Sequence, residues 1–231
     1  MVKLGILGGM GPAATAEFLR LLAAFKDAKT DQEHPAFVLL EDPKIPDRTA
    51  ALFGDDEDPS PALAHDLEIL ASWGAEVVAV PCNTAHVFLD RMTLPVPIVH
   101  IVRATVAEAK DRFPGGALLL ATSGTRRSGI YERYARKMDY PVHLPDEEIQ
   151  RHADAALRAV KAADWTRASE EMLAIAEREK GPYLLACTEL PIAYDKAGLD
   201  PAHAVSSLAA LARATLAAVD DGNGTLTRHI I

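Results

Sequence analysis

Val77-Val-Ala-Val-Pro-Cys82-Asn-Thr84 and Tyr183-Leu-Leu-Ala-Cys187-Thr-Glu189 share one design: an apolar run that ends in a cysteine, then residues able to hydrogen-bond. A short apolar run closed by turn-forming residues fits a strand buried on both faces. The halves also open alike. Gly5-Ile-Leu-Gly-Gly-Met-Gly11 leads into Pro12 at a helix start, and Leu118-Leu-Leu-Ala-Thr-Ser-Gly-Thr125 repeats the strand–turn–helix pattern. The interval from opening to cysteine is similar in both. This repeat predicts an α/β chain of two similar, pseudo-symmetric domains, each a mostly parallel sheet flanked by helices. Each cysteine then stands at the carboxyl end of a strand, where ligands collect in open parallel sheets. If the halves face each other about a pseudo-twofold axis, both thiols look into one cleft; a repeat does not by itself fix how its copies dock.

Outward from these stretches, strands are expected at Lys3–Leu7, Ala36–Leu40, Glu76–Val80, Pro97–His100, Ala117–Ala121 and Tyr183–Ala186. Amphipathic helical stretches run over Ala13–Lys26, Pro61–Trp73, Arg103–Arg112, Asp146–Lys161, Thr166–Lys180 and Val205–Val219. The expected boundaries are 1–100 plus 206–231 for one half and 101–205 for the other. Pro43–Ser60, with several prolines and the acidic run Asp55–Asp58, reads equally as a solvated loop or an active-site lid. The polar tail Asp220–Ile231 is expected to fray.

The chain has 231 residues, enough for two cores, and 49% of them are hydrophobic. Its net charge of −9 argues against a dedicated nucleic-acid binder. Two cysteines form neither a disulfide framework nor a zinc pattern, and the histidines show no ligand spacing. No segment approaches the ~18 uninterrupted apolar residues of a membrane span. Met1–Gly9 is a poor signal peptide, so a cytoplasmic protein is expected.

A thiol at a strand-to-helix turn sits near backbone N–H groups, which favour thiolate. Asn83, Thr84 and Thr188 can bond either a sulfur or a substrate carboxylate. A single cysteine in such a run reads best as buried structure; two in matched contexts favour chemistry. Inverting a stereocentre takes a base on one face and an acid on the other. A free thiol pKa of roughly 8.5 needs only a modest shift to populate both forms near neutrality. Other readings stay open. Gly9-Met-Gly11-Pro-Ala-Ala14 fits G-x-G-x-x-A, but Pro12 removes an amide donor, and a small anion at that helix start is favoured over a dinucleotide. Arg48 reads as a carboxylate clamp or a surface arginine. His86, four residues after Cys82, allows a Cys–His pair without an evident orienting acid.

Gly8-Gly-Met-Gly-Pro12, Asp31-Gln-Glu-His34, Ile45-Pro-Asp-Arg-Thr49, Pro81-Cys-Asn-Thr-Ala-His86, Ser128-Gly-Ile-Tyr131, Pro145-Asp-Glu-Glu148 and Cys187-Thr-Glu-Leu-Pro191 together resemble the aspartate/glutamate racemase family, closest to its aspartate racemase branch. The resemblance runs from about Lys3 to Pro191. It implies an isomerase that works without pyridoxal phosphate or any other cofactor or metal, commonly as a homodimer, on a small acidic amino acid, with its active site between two α/β domains. Cys82 and Cys187 become the paired acid and base. Asn83, Thr84 and Thr188 hold the α-carboxylate; Met10 and Thr122 line the pocket; Arg48 and Lys161 match family positions that engage a carboxylate. The chain departs from the family at Val205-Ser-Ser-Leu208, where an aspartate is expected, and Gly181-Pro-Tyr-Leu184 is shorter than usual. The glycine that usually follows near Lys161 is absent. These departures leave the cysteines in place and leave open which amino acid is used.

Overall fold

A computed structural model describes residues 3–220, which divide into two compact units: residues up to 104 with those from 208 onward, and Thr105–Ser207. In chain order the first unit holds β1 (Leu4–Gly8), α1 (Pro12–Phe25), β2 (Phe37–Glu41), α2 (Arg48–Phe53), α3 (Ser60–Ser72), β3 (Val77–Ala79), α4 (Ala85–Leu89) and β4 (Ile98–Val99). Helix α5 (Ile101–Arg112) carries the chain into the second unit. There follow β5 (Ala117–Ala121), α6 (Ser123–Ser128), α7 (Ile130–Lys137), β6 (Val142–His143), α8 (Glu147–Lys161), α9 (Trp165–Arg178), β7 (Tyr183–Ala186), α10 (Leu190–Lys196) and β8 (Ala204–Ser206). Helix α11 (Ser207–Asp220) belongs mostly to the first unit.

The duplication is borne out in the strand order. One sheet runs β2-β1-β3-β4 and the other β6-β5-β7-β8, and all six pairings are parallel. The first strand of each unit therefore lies between the second and the third. The chain reverses its direction of winding there, and the loops after β1 and β3, or β5 and β7, open beside each other at the carboxyl end.

Core packing follows from the apolar runs. All five residues of β1 and of β5 are buried, as a strand covered by helices on both faces requires. In the first unit Leu63, Leu67 and Leu70 recur at helical spacing on α3 and are fully buried, as are Phe18 of α1 and Ile6 of β1. In the second unit Ala153, Ala156, Leu157 and Val160 of α8 and Met172 and Ile175 of α9 close over Leu118, Leu120 and Leu185. Each large side chain removed from water in this way stabilises its unit by about 1.5–3 kcal/mol.

Two elements depart from expectation. The Val205–Val219 helix begins only at Ser207, because Ala204–Ser206 pairs with β7 as an edge strand. The Pro43–Ser60 segment contains α2, capped by Asp47, which accepts from the N–H groups of Thr49 and Ala50, and closed by Gly54 with φ of 82°. Of the tail expected to fray, only Asp220 is described; it ends α11 and pairs with Lys26 at 2.6 Å. The remainder lies outside the described residues. Among the described residues no helix is long and apolar enough to cross a membrane, and no cluster of three or more potential metal-binding side chains occurs.

Candidate active-site residues in each unit

In the first unit, Cys82 stands between β3 and α4, three residues before the first residue of α4. Beside it, the turn after β1 carries Met10, which is buried. That turn is tight. Gly9 has φ of +92°, and a Cβ there would lie 2.4 Å from the Asp42 backbone. A Cβ on Gly8 would lie 2.6 Å from Thr15 Oγ1, which accepts from the Gly9 N–H. Glycines here let the loop settle onto α1 and the end of β2, next to the Cys82 loop.

Cys82, Asn83 and Thr84 are all buried. Behind them, fully buried His86 directs Nδ1 at the Cys82 carbonyl oxygen, 2.8 Å away. A carbonyl only accepts, so Nδ1 carries the proton and Nε2 is left to accept from the Ile101 N–H at 3.4 Å. Burial, with His100 adding to it, pushes the His86 pKa down to about 3. The His100 ring meets it edge-on, with centroids 4.6 Å apart. Nδ1 of His100 accepts from the Arg103 N–H, and its Nε2–H donates to Asp90 Oδ1 at 3.1 Å. Both nitrogens of His86 are thus engaged with the backbone. The histidine does not act as a base on the thiol; it holds the peptide that carries it.

Arg48 is the first residue of α2, and its Nη1 donates to the carbonyls of Ile45 and Pro46 at 2.9 and 3.0 Å. Its buried Nε has no hydrogen-bond partner. The guanidinium is tethered to its own loop through Nη1, with the Nε–H left unpaired.

The second unit repeats the arrangement with different chemistry. Cys187 follows β7 directly and again stands three residues before its helix, α10. Thr122, after the neighbouring β5, caps α6 by accepting from the Thr125 N–H and donates to Thr125 Oγ1. This loop is braced from α8, where Asp154 accepts from the Ser123 hydroxyl at 2.6 Å and Gln150 donates to the Ala121 carbonyl. Lys161 ends α8, exposed, and its side chain makes no hydrogen bond or ion pair with any described residue. In this unit the structure joins Thr122, Cys187 and Thr188 at one sheet end and does not join Lys161 to them by any bond.

One acidic residue of this unit has no role in the sequence pattern. Glu189 is buried, and its Oε2 accepts both the Cys187 thiol and the Thr188 hydroxyl, each at 2.9 Å. The available signal was an acid two positions after a cysteine in a turn. Tyr131 of α7, also fully buried, bonds to the Thr105 and Ser207 side chains; burial pushes its pKa well up, and Cys187 adds to that rise. Ser207, in the stretch where the family aspartate is missing, therefore still has an anchoring contact, through its hydroxyl.

Comparison with known proteins places the fold and the sequence in one family. The sequence matches the Asp/Glu/hydantoin racemase family over residues 7–215. It is 26% identical over 204 residues to a broad-specificity amino-acid racemase, RacX of Bacillus subtilis, covering 83% of this chain and 87% of that one. An aspartate racemase from Picrophilus torridus superposes with a TM-score of 0.83 at 31% identity, covering 95% of each chain. At 20% identity the glutamate racemase isoform RacE1 of Bacillus anthracis shares the fold, with a TM-score of 0.66 over 98% of this chain and 84% of that one. The chain belongs to the Asp/Glu/hydantoin racemase family and is an isomerase.

Proposed function

We propose that the protein is an amino-acid racemase, with aspartate as its substrate, in which Cys82 and Cys187 exchange protons with opposite faces of the substrate's Cα. The carrying observation is that the two cysteines occupy the same place in two copies of one sheet order. In the forward step one thiolate takes the Cα proton and becomes a thiol, while the opposite thiol gives its proton to the other face and becomes a thiolate. Charge and proton count are unchanged, and the enzyme ends set for the reverse reaction. The carbanion formed beside the carboxylate needs fixed donors; Asn83, Thr84 and Thr188 supply these groups. Met10 and Thr122 line the pocket. Arg48, with its spare Nε, and Lys161 engage substrate carboxylate oxygens. This reading needs no cofactor, and takes the working form as a homodimer in the cytoplasm, checked by sedimentation and by cell fractionation.

The test is incubation with L-aspartate in deuterium oxide without pyridoxal phosphate, following Cα deuteration and D-isomer formation. Wild type is expected to do both. Cys82→Ala and Cys187→Ala are each expected to lose racemisation, with exchange surviving on one face at most. Full racemisation by either variant removes the mechanism. A broad-specificity racemase is the second reading, favoured by the likeness to such an enzyme. A panel of L-amino acids separates the two: aspartate turned over well above the rest supports the first reading, comparable rates across apolar side chains the second.

A further inference from the structure

The two cysteine turns match in backbone placement and differ in their polar neighbours. Behind Cys82 stands a neutral imidazole bonded to a backbone carbonyl. Against Cys187 stands a carboxylate, bonded to the thiol itself. We propose that Glu189 keeps Cys187 protonated between turnovers, so that Cys187 is the resting acid and the resting enzyme is set for the enantiomer that Cys82 deprotonates. The use of this asymmetry in catalysis rests on the racemase reading above; the effect on the thiol does not.

The physical case is direct. A carboxylate that accepts an S–H bond stabilises the thiol, and the same carboxylate beside a thiolate is a like charge at contact distance. Both effects raise the proton affinity of sulfur. Burial of Glu189 limits solvent screening of that charge. The Thr188 hydroxyl shares the same oxygen, Oε2, so the carboxylate is held facing the sulfur by two donors from consecutive residues. Glu189 bonds the thiol directly, and Tyr131, which burial keeps neutral, interacts with Cys187 without adding an opposing positive charge. Glu189 acts through the thiol, so it is a positioning residue.

Because the chain has two cysteines, Cys82→Ser leaves Cys187 as the sole thiol of the full-length protein. The rate of iodoacetamide alkylation against pH, read by mass spectrometry, then reports the thiolate fraction at Cys187 whether or not the protein racemises anything. Adding Glu189→Gln, of the same shape without the charge, is expected to raise the rate at pH 7 roughly tenfold and to move the midpoint of the profile to lower pH. Adding Glu189→Asp, which retracts the charge by one methylene, is expected to give a smaller rise and still decides the matter if the Gln variant does not fold by circular dichroism. An unchanged or lower rate in a folded Glu189→Gln protein overturns the proposal. So does an unchanged rate in Glu189→Asp. If the shift appears but wild type does not exchange the Cα hydrogen, the thiol–carboxylate coupling stands and the racemase reading falls.

Discussion

His86 offers a perturbation whose size follows from its surroundings. It is fully buried, neutral and bonded through Nδ1–H to the peptide of Cys82, with a pKa near 3 in the folded chain against about 6.5 when unfolded. A depressed histidine pKa means that the unfolded chain binds the extra proton. Its contribution to stability is therefore complete above pH ~6.5 and is lost as pH falls toward the folded value. Integrating that linkage between pH 7 and pH 4.5 gives a loss of about 2–3 kcal/mol, and about 4 kcal/mol if carried down to pH 3. His86→Asn removes the titration while keeping a donor near the Nδ1 position. At pH 7 the variant is expected to be less stable by about 1–3 kcal/mol, for lost packing and for the Ile101 N–H left without its acceptor. On acidification to pH 4.5 the gap is expected to close by about 2–3 kcal/mol. The assay is urea unfolding at both pH values in a Trp165→Phe background, so that Trp73 alone reports the unit holding His86. A stability difference that stays constant with pH refutes the reasoning, since it means that the imidazole is no harder to protonate folded than unfolded.

Three further outcomes follow from single contacts. Asp66 is buried on α3, and burial first, then Asp42, raises its carboxyl pKa, so the fold favours the protonated form and loses stability as pH rises above the ordinary carboxylate range. Asp66→Asn is therefore expected to raise the melting temperature at pH 7, by an amount that shrinks toward pH 4. Gly9→Ala places a Cβ against the Asp42 backbone at positive φ, and is expected to cost about 3 kcal/mol or to displace the Met10 turn, read as lower stability with a changed near-ultraviolet spectrum. Arg112 donates to the carbonyls of Pro201, Ala202 and Ala204, pinning the approach to β8; Arg112→Met is expected to lower the urea midpoint of the second unit by the equivalent of about 1–2 kcal/mol.

The elements legible in the sequence are those whose burial is complete. The apolar runs at Ala117–Ala121 and Tyr183–Ala186 coincide with β5 and β7 residue for residue, because a strand covered on both faces must be apolar throughout. Strand β6 leaves no such trace: Val142 and His143 form a two-residue edge with one side chain exposed. Ala204–Ser206 precedes an alanine-rich helix, and its strand character comes from pairing with β7, a tertiary contact that local preference does not carry. Helix α2 hid inside a loop although Asp47 and Gly54 bracket it with ordinary capping residues. At the site, placement of both cysteines follows from the repeat. Their partners do not, because the distance from Glu189 to the Cys187 sulfur depends on the backbone angles around Thr188 and on the side-chain rotamers of both residues.

Duplication thus accounts for where the two thiols stand and leaves their protonation to be set locally. For a racemase this division has a physical consequence. The equilibrium constant between enantiomers is one, so kcat/KM must be equal in the two directions whatever surrounds each sulfur. Unequal partners cannot favour one product. They can only divide a fixed kcat/KM differently between kcat and KM, by changing which protonation state of the free enzyme is populated. A neutral, tautomer-locked imidazole behind Cys82 and a carboxylate against Cys187 are such unequal partners. In the proposed mechanism the enantiomer that Cys82 deprotonates meets the resting enzyme directly, while its mirror image meets the rarer form with thiolate at Cys187 and is expected to show the higher KM together with a proportionately higher kcat. Replacing Glu189 by Gln is expected to bring the two KM values together, and progress curves started from each pure enantiomer measure it; KM values that differ as widely in the variant as in wild type would place the source of asymmetry elsewhere than at this carboxylate.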